Sequence, residues 1–332
     1  MKAPLVSIGV PVYNGEKYIR QALDGLIAQT YQNFEIIISD NASTDNTKNI
    51  CLEYINRDNR ISYYGNEINI GATENFNRLV KLAKGKYFMW AAADDIFLPK
   101  FIEKCVEKME EEPSLILCYS SLRFIDEKGQ VIKNVNYDLY DNPNLSDHDM
   151  EARLKKWWSR SGWYAVYGLY RLDILCSSNL FMNVYGGDVL FITELLYKGP
   201  FGKIPQVLFL YRQFQKKTEI DRYNSQSEEN KNKSLSLDYC HVNLYINIYD
   251  NILAHDFTLS KKIILILNLV RAWKRHVYNK LNGFVIFSIK TREFPNILKV
   301  SWFYILEIIK TPYNLTLKVI NKITYFLRCC LN

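Results

Sequence analysis

Residues 34–45 read FEIIISDNASTD, an apolar run that ends in a cluster of acidic, amide and hydroxyl side chains. The run predicts a short buried strand, because it is rich in Ile and is bounded by turn-forming residues. From Thr47 to Tyr54, apolar side chains recur at helical spacing. The segment therefore predicts a strand, a polar loop and a helix, which is one half of a parallel βαβ unit.

The same order of elements repeats on both sides of this segment. Strands are predicted at residues 5–12, 61–64 and 87–93, and the pattern between them is helical. This alternation predicts an α/β fold with a Rossmann-like, mostly parallel central sheet flanked by helices. Further along the chain, the pattern predicts strands at 115–119 and 207–211, a helix at 188–197 and a C-terminal helical region.

Polar clusters follow three of the predicted strands: residues 13–16 (YNGE), residues 40–43 (DNAS) and the pair Asp94-Asp95. Ligands of parallel α/β sheets bind at the carboxyl ends of the strands, where these clusters lie. An aromatic ring there can stack on a nucleobase, and a carboxylate can accept from a base N–H or a ribose hydroxyl. Adjacent carboxylates suit a divalent cation, because hard cations prefer oxygen ligands.

Structural roles remain open for each cluster taken alone. Tyr13 fits a core position, Asp40 fits a cap on the following helix, and Asp94-Asp95 fits a solvated turn. Asn14 and Ser43 fit helix N-caps. We favour one shared ligand site, because the three clusters follow strands of the same predicted sheet.

Composition indicates a folded protein and excludes several classes. The 332 residues are 48% hydrophobic and 23% charged, which excludes intrinsic disorder and collagen. Seven cysteines, an odd number without a C-x-x-C pair, predict reduced thiols of a cytoplasmic protein rather than a disulfide framework or a zinc site. Pro11 and the polar residues 14–16 interrupt the first apolar run, so we expect a buried strand rather than a signal peptide.

Charge is distributed unevenly. Residues 258–332 hold 13 Lys and Arg against 2 Asp and Glu, a net charge of +11, whereas residues 1–257 carry −4. We predict a main domain over 1–257 and a basic amphipathic helical region over 258–332. This region fits an interfacial helix on an anionic membrane, or a bundle that packs on the main domain or on a second copy. Its apolar runs are shorter than the about 20 residues that span a bilayer.

Several ordered segments resemble the signature of family 2 glycosyltransferases. They are residues 10–19 (VPVYNGEKYI), 34–45, 69–77 (NIGATENFN), 83–87 (AKGKY) and 89–95 (MWAAADD). The resemblance covers about residues 4–212 and implies the GT-A fold. It also implies a donor-binding part over about 1–120 and an acceptor-binding part over about 121–257.

The resemblance implies a nucleotide-sugar donor, most typically a UDP-sugar. Pro11, Val12 and Tyr13 would form the edge that binds the base. Asp40 would accept from N3–H of the base, and Asn41 would assist nearby.

The resemblance also implies a divalent metal, Mg²⁺ or Mn²⁺. Asp94 would contact the ribose or sugar side of the donor, and Asp95 would ligate the metal that bridges the phosphates. Ala92 stands where the family often has a further acidic residue, so the motif supplies two carboxylates rather than three. In Tyr211-Arg212, which resembles the family's Y-R pair, Arg212 would pair with the diphosphate or form a structural ion pair at the surface.

Asp188 is expected to be the catalytic base. Residues 186–191 (GGDVLF) resemble the family's E-D-x-x-L region, with Gly187 in place of the common Glu. A carboxylate at a helix start is favoured in its ionised form and can remove the proton of an acceptor hydroxyl. A single displacement assisted by one base inverts the anomeric configuration. A role as a mere N-cap is the alternative.

The function implied is an inverting glycosyltransferase of cell-surface polysaccharide synthesis, such as capsule or lipopolysaccharide assembly. Its acceptor would be a glycan or a polyprenyl-diphosphate-linked saccharide. The enzyme would be cytoplasmic, or peripheral on the inner face of the plasma membrane, with a homo-oligomer also open. Nucleic acid is not an expected partner, since no recognised motif accompanies the basic tail.

Two other functions remain as alternatives. A sugar-1-phosphate nucleotidyltransferase needs a Gly-rich phosphate loop, which residues 13–16 do not supply, and a nicotinamide oxidoreductase fails because G-x-G-x-x-G is absent. A non-catalytic glycan-binding relative would not need the four aspartates together, namely Asp40, Asp94, Asp95 and Asp188.

Overall fold

The computed structural model describes residues 4–133, 135–141, 143–159, 164–184, 186–214, 237–269 and 272. The chain divides into two compact units, residues 1–265 and 266–332. The sheet and the helices named below belong to the first unit, except that the helical stretch over residues 259–269 crosses the boundary. Most of the predicted basic region, from residue 273 onward, lies outside the described residues. Within those residues, no helix combines the length and the apolarity needed to cross a bilayer.

Eight strands form the sheet: β1 (Val6–Val12), β2 (Phe34–Asp40), β3 (Ile61–Gly65), β4 (Tyr87–Trp90), β5 (Ile96–Phe97), β6 (Leu117–Ile125), β7 (Leu169–Arg171) and β8 (Phe201–Arg212). The helices are α1 (Ile19–Ile27), α2 (Thr47–Arg57), α3 (Ala72–Leu82), α4 (Phe101–Glu111), α5 (Tyr137–Tyr140), α6 (Met150–Trp158), α7 (Leu172–Cys176), α8 (Gly187–Lys198) and α9 (Leu237–Ala254). A 3₁₀ turn covers Tyr164–Tyr167, and residues 259–269 are also helical.

The strand order is β3-β2-β1-β4-β7-β6-β8-β5. Strands β1 to β4 are mutually parallel, and β6 is parallel to β8, whereas β7 and β5 run antiparallel to their neighbours. The prediction of a mostly parallel α/β sheet is confirmed. Val12 pairs with Asp40 in the register of β1 and β2, so the carboxyl ends of these strands lie side by side.

The core lies between the sheet and its flanking helices. All seven residues of β1 are buried, as expected for a central strand covered on both faces. Helix α3 packs against β1 and β2, and α4 packs against β6 and β8. Each fully buried Val or Ile side chain contributes about 1.5–3 kcal/mol, so the strand ends that carry polar residues rest on a rigid base.

An aromatic cluster surrounds Trp90, the last residue of β4. Its ring lies 4.8 Å from the ring of Phe181, 5.3 Å from that of Tyr170 and 5.7 Å from that of Phe191. The indole N–H donates to the carbonyl of Phe76 over 3.0 Å, which satisfies the polar atom of a fully buried side chain. The cluster therefore fixes α3, β4, β7 and α8 relative to one another.

Candidate active site

The loops after β1 and β2 are joined by hydrogen bonds. Asn14 Oδ1 accepts from the N–H of Thr44, and Ser43 Oγ accepts from the N–H of Asn14, both over 2.8 Å. The N–H of Gly15 donates to Thr47 Oγ1 over 2.8 Å. The loops also require left-handed backbone at Asn14 (φ 50°) and Ala42 (φ 60°), which these bonds stabilise.

The predicted N-caps are therefore wrong. Helices α1 and α2 begin at Ile19 and Thr47, and the residues that precede them make no side-chain cap bond. Asn14 and Ser43 instead cross-link the two loops, because their short polar side chains satisfy main-chain groups across the strand ends.

Tyr13 lies at the open edge of this arrangement. Its side chain is 51% exposed, so the core position is wrong for it, whereas Pro11 and Val12 are buried in β1. An exposed ring beside a buried strand end provides a face on which a flat ligand can stack.

Asp40 is buried at the end of β2 with both carboxylate oxygens engaged. Oδ1 accepts from the N–H of Ser43 over 2.9 Å, and Oδ2 accepts from the hydroxyl of Tyr63 over 2.7 Å. Since α2 begins only at Thr47, Asp40 does not cap that helix. Burial, followed by the bond to Asp40, raises the pKa of Tyr63, so the phenol keeps its proton and stays a donor.

Asn41 organises the segment that follows β3. Its Oδ1 accepts from Asn66 Nδ2 over 3.0 Å and from the N–H of Ile70 over 2.9 Å, while its Nδ2 donates to Asn69 Oδ1 over 2.8 Å. The side chain is 3% exposed. It holds the 66–70 loop beside Asp40.

Asp95 is the most constrained carboxylate of the site. It is 1% exposed, and its Oδ1 accepts from the main-chain N–H of Arg212 over 2.8 Å. Its Oδ2 is buried, and the described part of the chain offers it no hydrogen-bond partner. Burial, with the neighbouring Asp94 as a second cause, raises the pKa of Asp95 well above its ordinary value. A solvated turn is therefore wrong for this residue.

These features fit the divalent metal that the sequence implies. A buried carboxylate oxygen without a donor is costly unless a cation balances it, and Mg²⁺ or Mn²⁺ would do so. Over the described residues, no cluster of three or more His, Cys, Asp and Glu side chains is placed to hold a metal. Asp95 as the metal ligand stays a prediction, in which a bound diphosphate and water would complete the coordination.

Arg212 is buried behind this pair rather than exposed at the surface, so a surface ion pair is wrong. Nε donates to the carbonyl of Asp94 over 2.7 Å, Nη1 to the carbonyl of Asp126 over 2.8 Å, and Nη2 to Gln21 Oε1 over 2.5 Å. The guanidinium also lies 4.6 Å from the ring centre of Tyr18. These contacts hold the 94–95 turn in place, and a contact with a diphosphate stays a prediction.

Asp188 lies in the first turn of α8, as expected, and lines a cavity of about 300 Å³. The other walls come from the start of α3, from the 3₁₀ turn and from the segment that precedes α8. They are Ala72, Thr73, Phe76, Val166, Tyr167, Phe181, Met182, Asn183, Val184 and Gly187. Burial raises the pKa of Asp188, which makes its ionised form a stronger proton acceptor than an ordinary Asp.

Tyr167 is influenced by the Asp94-Asp95 turn and by Asp188. The sequence pattern gave no reason to select this residue. Burial raises its pKa, and the charges of Asp95, Asp94 and Asp188 raise it further. Three carboxylates thus act on the pKa of one phenol. Asp95 and Asp188 are 93 positions apart in the sequence, and their place in one shared site stays a prediction.

A model of the family described as glycosyl transferase family 2 matches residues 7–174. An uncharacterized glycosyltransferase of Haemophilus influenzae is 31% identical over 239 residues, which are 69% of this chain and 72% of that protein. The chain spans only 22% and 49% of the length of the first two curated relatives that it matches.

Two solved structures have a similar fold. S. aureus TarS 1–349 in complex with UDP-GlcNAc has a TM-score of 0.61 at 18% identity, over 80% of this chain and 72% of that chain. A mannosyltransferase from Pyrobaculum calidifontis in complex with GDP-Man and Mn²⁺ has a TM-score of 0.52 at 14% identity, over 94% of this chain and 88% of that chain.

Proposed function

The chain belongs to glycosyl transferase family 2 and has the GT-A fold, and we propose that it is an inverting enzyme that transfers a sugar from a UDP-sugar to an acceptor hydroxyl. One observation carries the proposal: Oδ2 of the buried Asp95 has no hydrogen-bond partner among the described residues, and Asp188, which lines a cavity, raises the pKa of Tyr167 together with Asp95.

The donor base would bind between Tyr13 and Asp40. The exposed ring of Tyr13 offers the stacking face, and Asp40 is fixed by Ser43 and Tyr63 so that its remaining lone pairs can accept from N3–H of uracil. TarS, which has a similar fold, was solved with UDP-GlcNAc, and this supports a UDP-sugar. The mannosyltransferase with GDP-Man makes a GDP-sugar the alternative donor.

Asp95 would hold the metal together with the diphosphate of the donor, and Asp94 would contact the ribose or sugar side of the donor. When bound, a divalent cation acts as a Lewis acid that neutralises the charge of the leaving diphosphate. Arg212 would keep both carboxylates in place through the Asp94 carbonyl and the Asp95 side chain. The Mn²⁺ in the mannosyltransferase structure supports this choice of cation.

Asp188 would act as the base. Its carboxylate takes the proton of the acceptor hydroxyl while that oxygen forms a bond to the anomeric carbon. The bond between this carbon and the diphosphate oxygen breaks at the same time, and the nucleoside diphosphate leaves with the electron pair. Attack on the face opposite the leaving group inverts the configuration.

The acceptor would be a glycan or a polyprenyl-diphosphate-linked saccharide, presented at an anionic membrane. Leu259 and Ile263, on the helix over residues 259–269, are 42% and 40% exposed beside Lys261 and Lys262, which supports an interfacial helix. Flotation of the full chain with anionic but not with neutral vesicles is expected. Equal flotation by a Lys261→Glu, Lys262→Glu variant would contradict the proposal.

A donor screen tests the function itself. With Mn²⁺, UDP-, GDP- and dTDP-sugars are offered, and the released nucleoside diphosphate is measured. We expect a UDP-selective signal that Asp95→Ala and Asp188→Ala abolish. Nucleotide binding without any turnover would instead favour a non-catalytic relative. Release of pyrophosphate from UTP and a sugar 1-phosphate would favour a nucleotidyltransferase.

A further inference from the structure

Asn77, in the middle of α3, makes a two-way contact with the main chain of Phe181. Its Nδ2 donates to the carbonyl of Phe181 over 2.9 Å, and its Oδ1 accepts from the N–H of the same residue over 3.1 Å. The side chain is 8% exposed. Because both groups of one residue are bound, the contact fixes the orientation of the main chain as well as its position.

The segment around Phe181 needs this support. Leu180 has left-handed backbone, with φ of 55°, which costs energy in a residue that has a branched side chain. The ring of Phe181 lies 4.8 Å from the rings of Trp90 and Phe191. On the other side of Leu180, Asn179 Nδ2 donates to the buried Glu194 over 3.0 Å. Polar contacts thus hold the segment on both sides of the strained residue.

The contact between Asn77 and Phe181 is linked to Asp188 through main-chain contacts of the 181–187 segment. Met182 follows Phe181, and a Cβ added at Gly187 would overlap the carbonyl oxygen of Met182, so these two residues are in close contact. The N–H of Gly187 also donates to the carbonyl of Val184 over 3.1 Å. Asp188 is the next residue. A side chain at position 187 would therefore clash with the Met182 carbonyl in this conformation.

The held segment is also a wall of the cavity. Phe181, Met182 and Val184 line it together with Asp188. A shift of the Phe181 main chain would therefore change the shape of the cavity and the place of the carboxylate together.

We propose that Asn77 is a positioning residue of the acceptor side of the site. It acts through the main chain of Phe181 and Met182 on the cavity wall and on Asp188, and it does not touch the donor. The proposal rests on the proposed function for the role of Asp188.

Asn75 provides a matched control on the same helix. It is 3% exposed, its Nδ2 donates to the carbonyl of Ser39 over 2.9 Å, and its Oδ1 accepts from Ser39 Oγ over 2.7 Å. Ser39 precedes Asp40, so this amide supports the donor side. Two buried amides of one helix thus hold main-chain segments on different sides of the site.

The test compares Asn77→Ala and Asn75→Ala with the wild type. Calorimetry with UDP and Mn²⁺ gives the donor-side Kd, and UDP release from the best UDP-sugar gives kcat and KM. For Asn77→Ala we expect kcat to fall about tenfold to a hundredfold with the UDP Kd unchanged, because misplaced reacting groups cost rate rather than donor affinity. For Asn75→Ala we expect the UDP Kd to rise.

Hydrogen exchange of the full chain supplies a readout that needs no turnover. In Asn77→Ala, the amides of residues 177–184 should exchange faster, while those of residues 36–41 should not. The opposite pattern is expected for Asn75→Ala. Unchanged exchange at 177–184 would overturn the proposal even if the wild type proved inactive. Absence of UDP binding and release in the wild type would count against the proposed function alone.

A second variant distinguishes the proposed positioning effect from a general loss of stability. Asn77→Ser is uncharged, and its short hydroxyl can bond at most one of the two main-chain groups of Phe181 at a time. If Asn77→Ala does not fold, Asn77→Ser should still show lowered kcat with an unchanged UDP Kd. Wild-type kcat in a folded variant, or equal losses in kcat and UDP affinity, would overturn the proposal.

Discussion

The main-chain N–H of Arg212 donates to Oδ1 of Asp95 over 2.8 Å, although 117 positions separate the two residues. The bond joins the end of β8 to the turn after β4 and occupies one carboxylate oxygen. The other oxygen, Oδ2, is buried, and no hydrogen-bond partner for it exists among the residues that the structure describes. The carboxylate is thereby oriented, and one of its oxygens remains for a cation.

Asp95→Asn should abolish the response to metal. The neutral amide cannot balance the charge of a divalent cation. Loss of a mere outer-shell partner of a metal lowers metal affinity about 10- to 100-fold, so the Mn²⁺-dependent part of UDP affinity should fall by at least this factor. EDTA should reproduce the loss in the wild type. Titration of UDP binding against Mn²⁺ measures both effects.

The control for this substitution is Asp173→Asn, which removes an exposed carboxylate from α7. It should bind UDP and Mn²⁺ like the wild type. An Asp95→Asn protein that keeps the full Mn²⁺ dependence would refute the assignment of the metal to this turn.

Arg212→Lys should destabilise the protein, since one ammonium cannot reach the carbonyls of Asp94 and Asp126 and the side chain of Gln21 together. Each lost hydrogen bond costs about 0.5–1.5 kcal/mol, so a clear fall in the free energy of unfolding is expected from urea denaturation. A weaker UDP Kd with unchanged stability would instead indicate that the guanidinium pairs directly with the diphosphate.

Tyr63→Phe should weaken binding of the donor base. It removes the hydroxyl that holds Asp40 Oδ2, and loss of a hydrogen bond to a charged group is worth about 1.5–3 kcal/mol, so the UDP Kd should rise about tenfold. Tyr64→Phe is the matched control, because successive strand residues point to opposite faces. Equal effects of the two variants on the UDP Kd would contradict the role of Tyr63.

Much of the fold was predictable because hydrophobic periodicity is strong in strands that are buried on both faces, such as β1 and β2. The start of β8 was missed by six residues. Pro205 and Gln206 interrupt its apolar run, and the register with β6 shifts there from Ile204 to Val207. A bulge of this kind breaks the sequence pattern while the strand continues. Strand β7, of three residues, is too short to show a period.

The place of a candidate residue was predictable where it lies at the end of a strand or the start of a helix, as for Asp40 and Asp188. It was not predictable where side chains meet through tertiary contacts. The pattern gave no partner for Tyr63. For Arg212 it left a diphosphate contact or a surface ion pair open, because its carbonyl acceptors come from distant segments. Asn77 had one unused signal, a polar side chain on the buried face of an amphipathic helix.

The pH dependence should report the state of Asp188. The base must be ionised, and burial raises its pKa above the ordinary 3.8, so kcat should fall with decreasing pH at a higher pH than for an exposed Asp. Tyr167, the other titratable group among the described residues that line the cavity, has a raised pKa and stays neutral over this range. A pH–rate profile of UDP release, with an acidic limb centred above 3.8, checks the prediction.

The raised pKa of Asp188 also predicts an effect on stability: the ionised form that catalysis needs is the form that destabilises the fold. A raised pKa in the folded state means that ionised Asp188 destabilises the fold, fully so above the folded-state pKa and not at all below about 3.8. Asp188→Asn should therefore be at least as stable as the wild type at pH 7, and the difference should vanish in acid. Thermal melting as a function of pH measures it, and a less stable Asp188→Asn at pH 7 would contradict the expectation.

The most direct test of a common role for Asp95 and Asp188 measures UDP release and Mn²⁺-dependent UDP binding on the same preparations of wild type, Asp95→Asn and Asp188→Asn. We predict that the rate of UDP release falls in both variants, by about 100-fold or more in Asp188→Asn. Only Asp95→Asn should lose the Mn²⁺-dependent UDP binding. Wild-type release by Asp188→Asn, or unchanged metal-dependent binding by Asp95→Asn, would contradict the account.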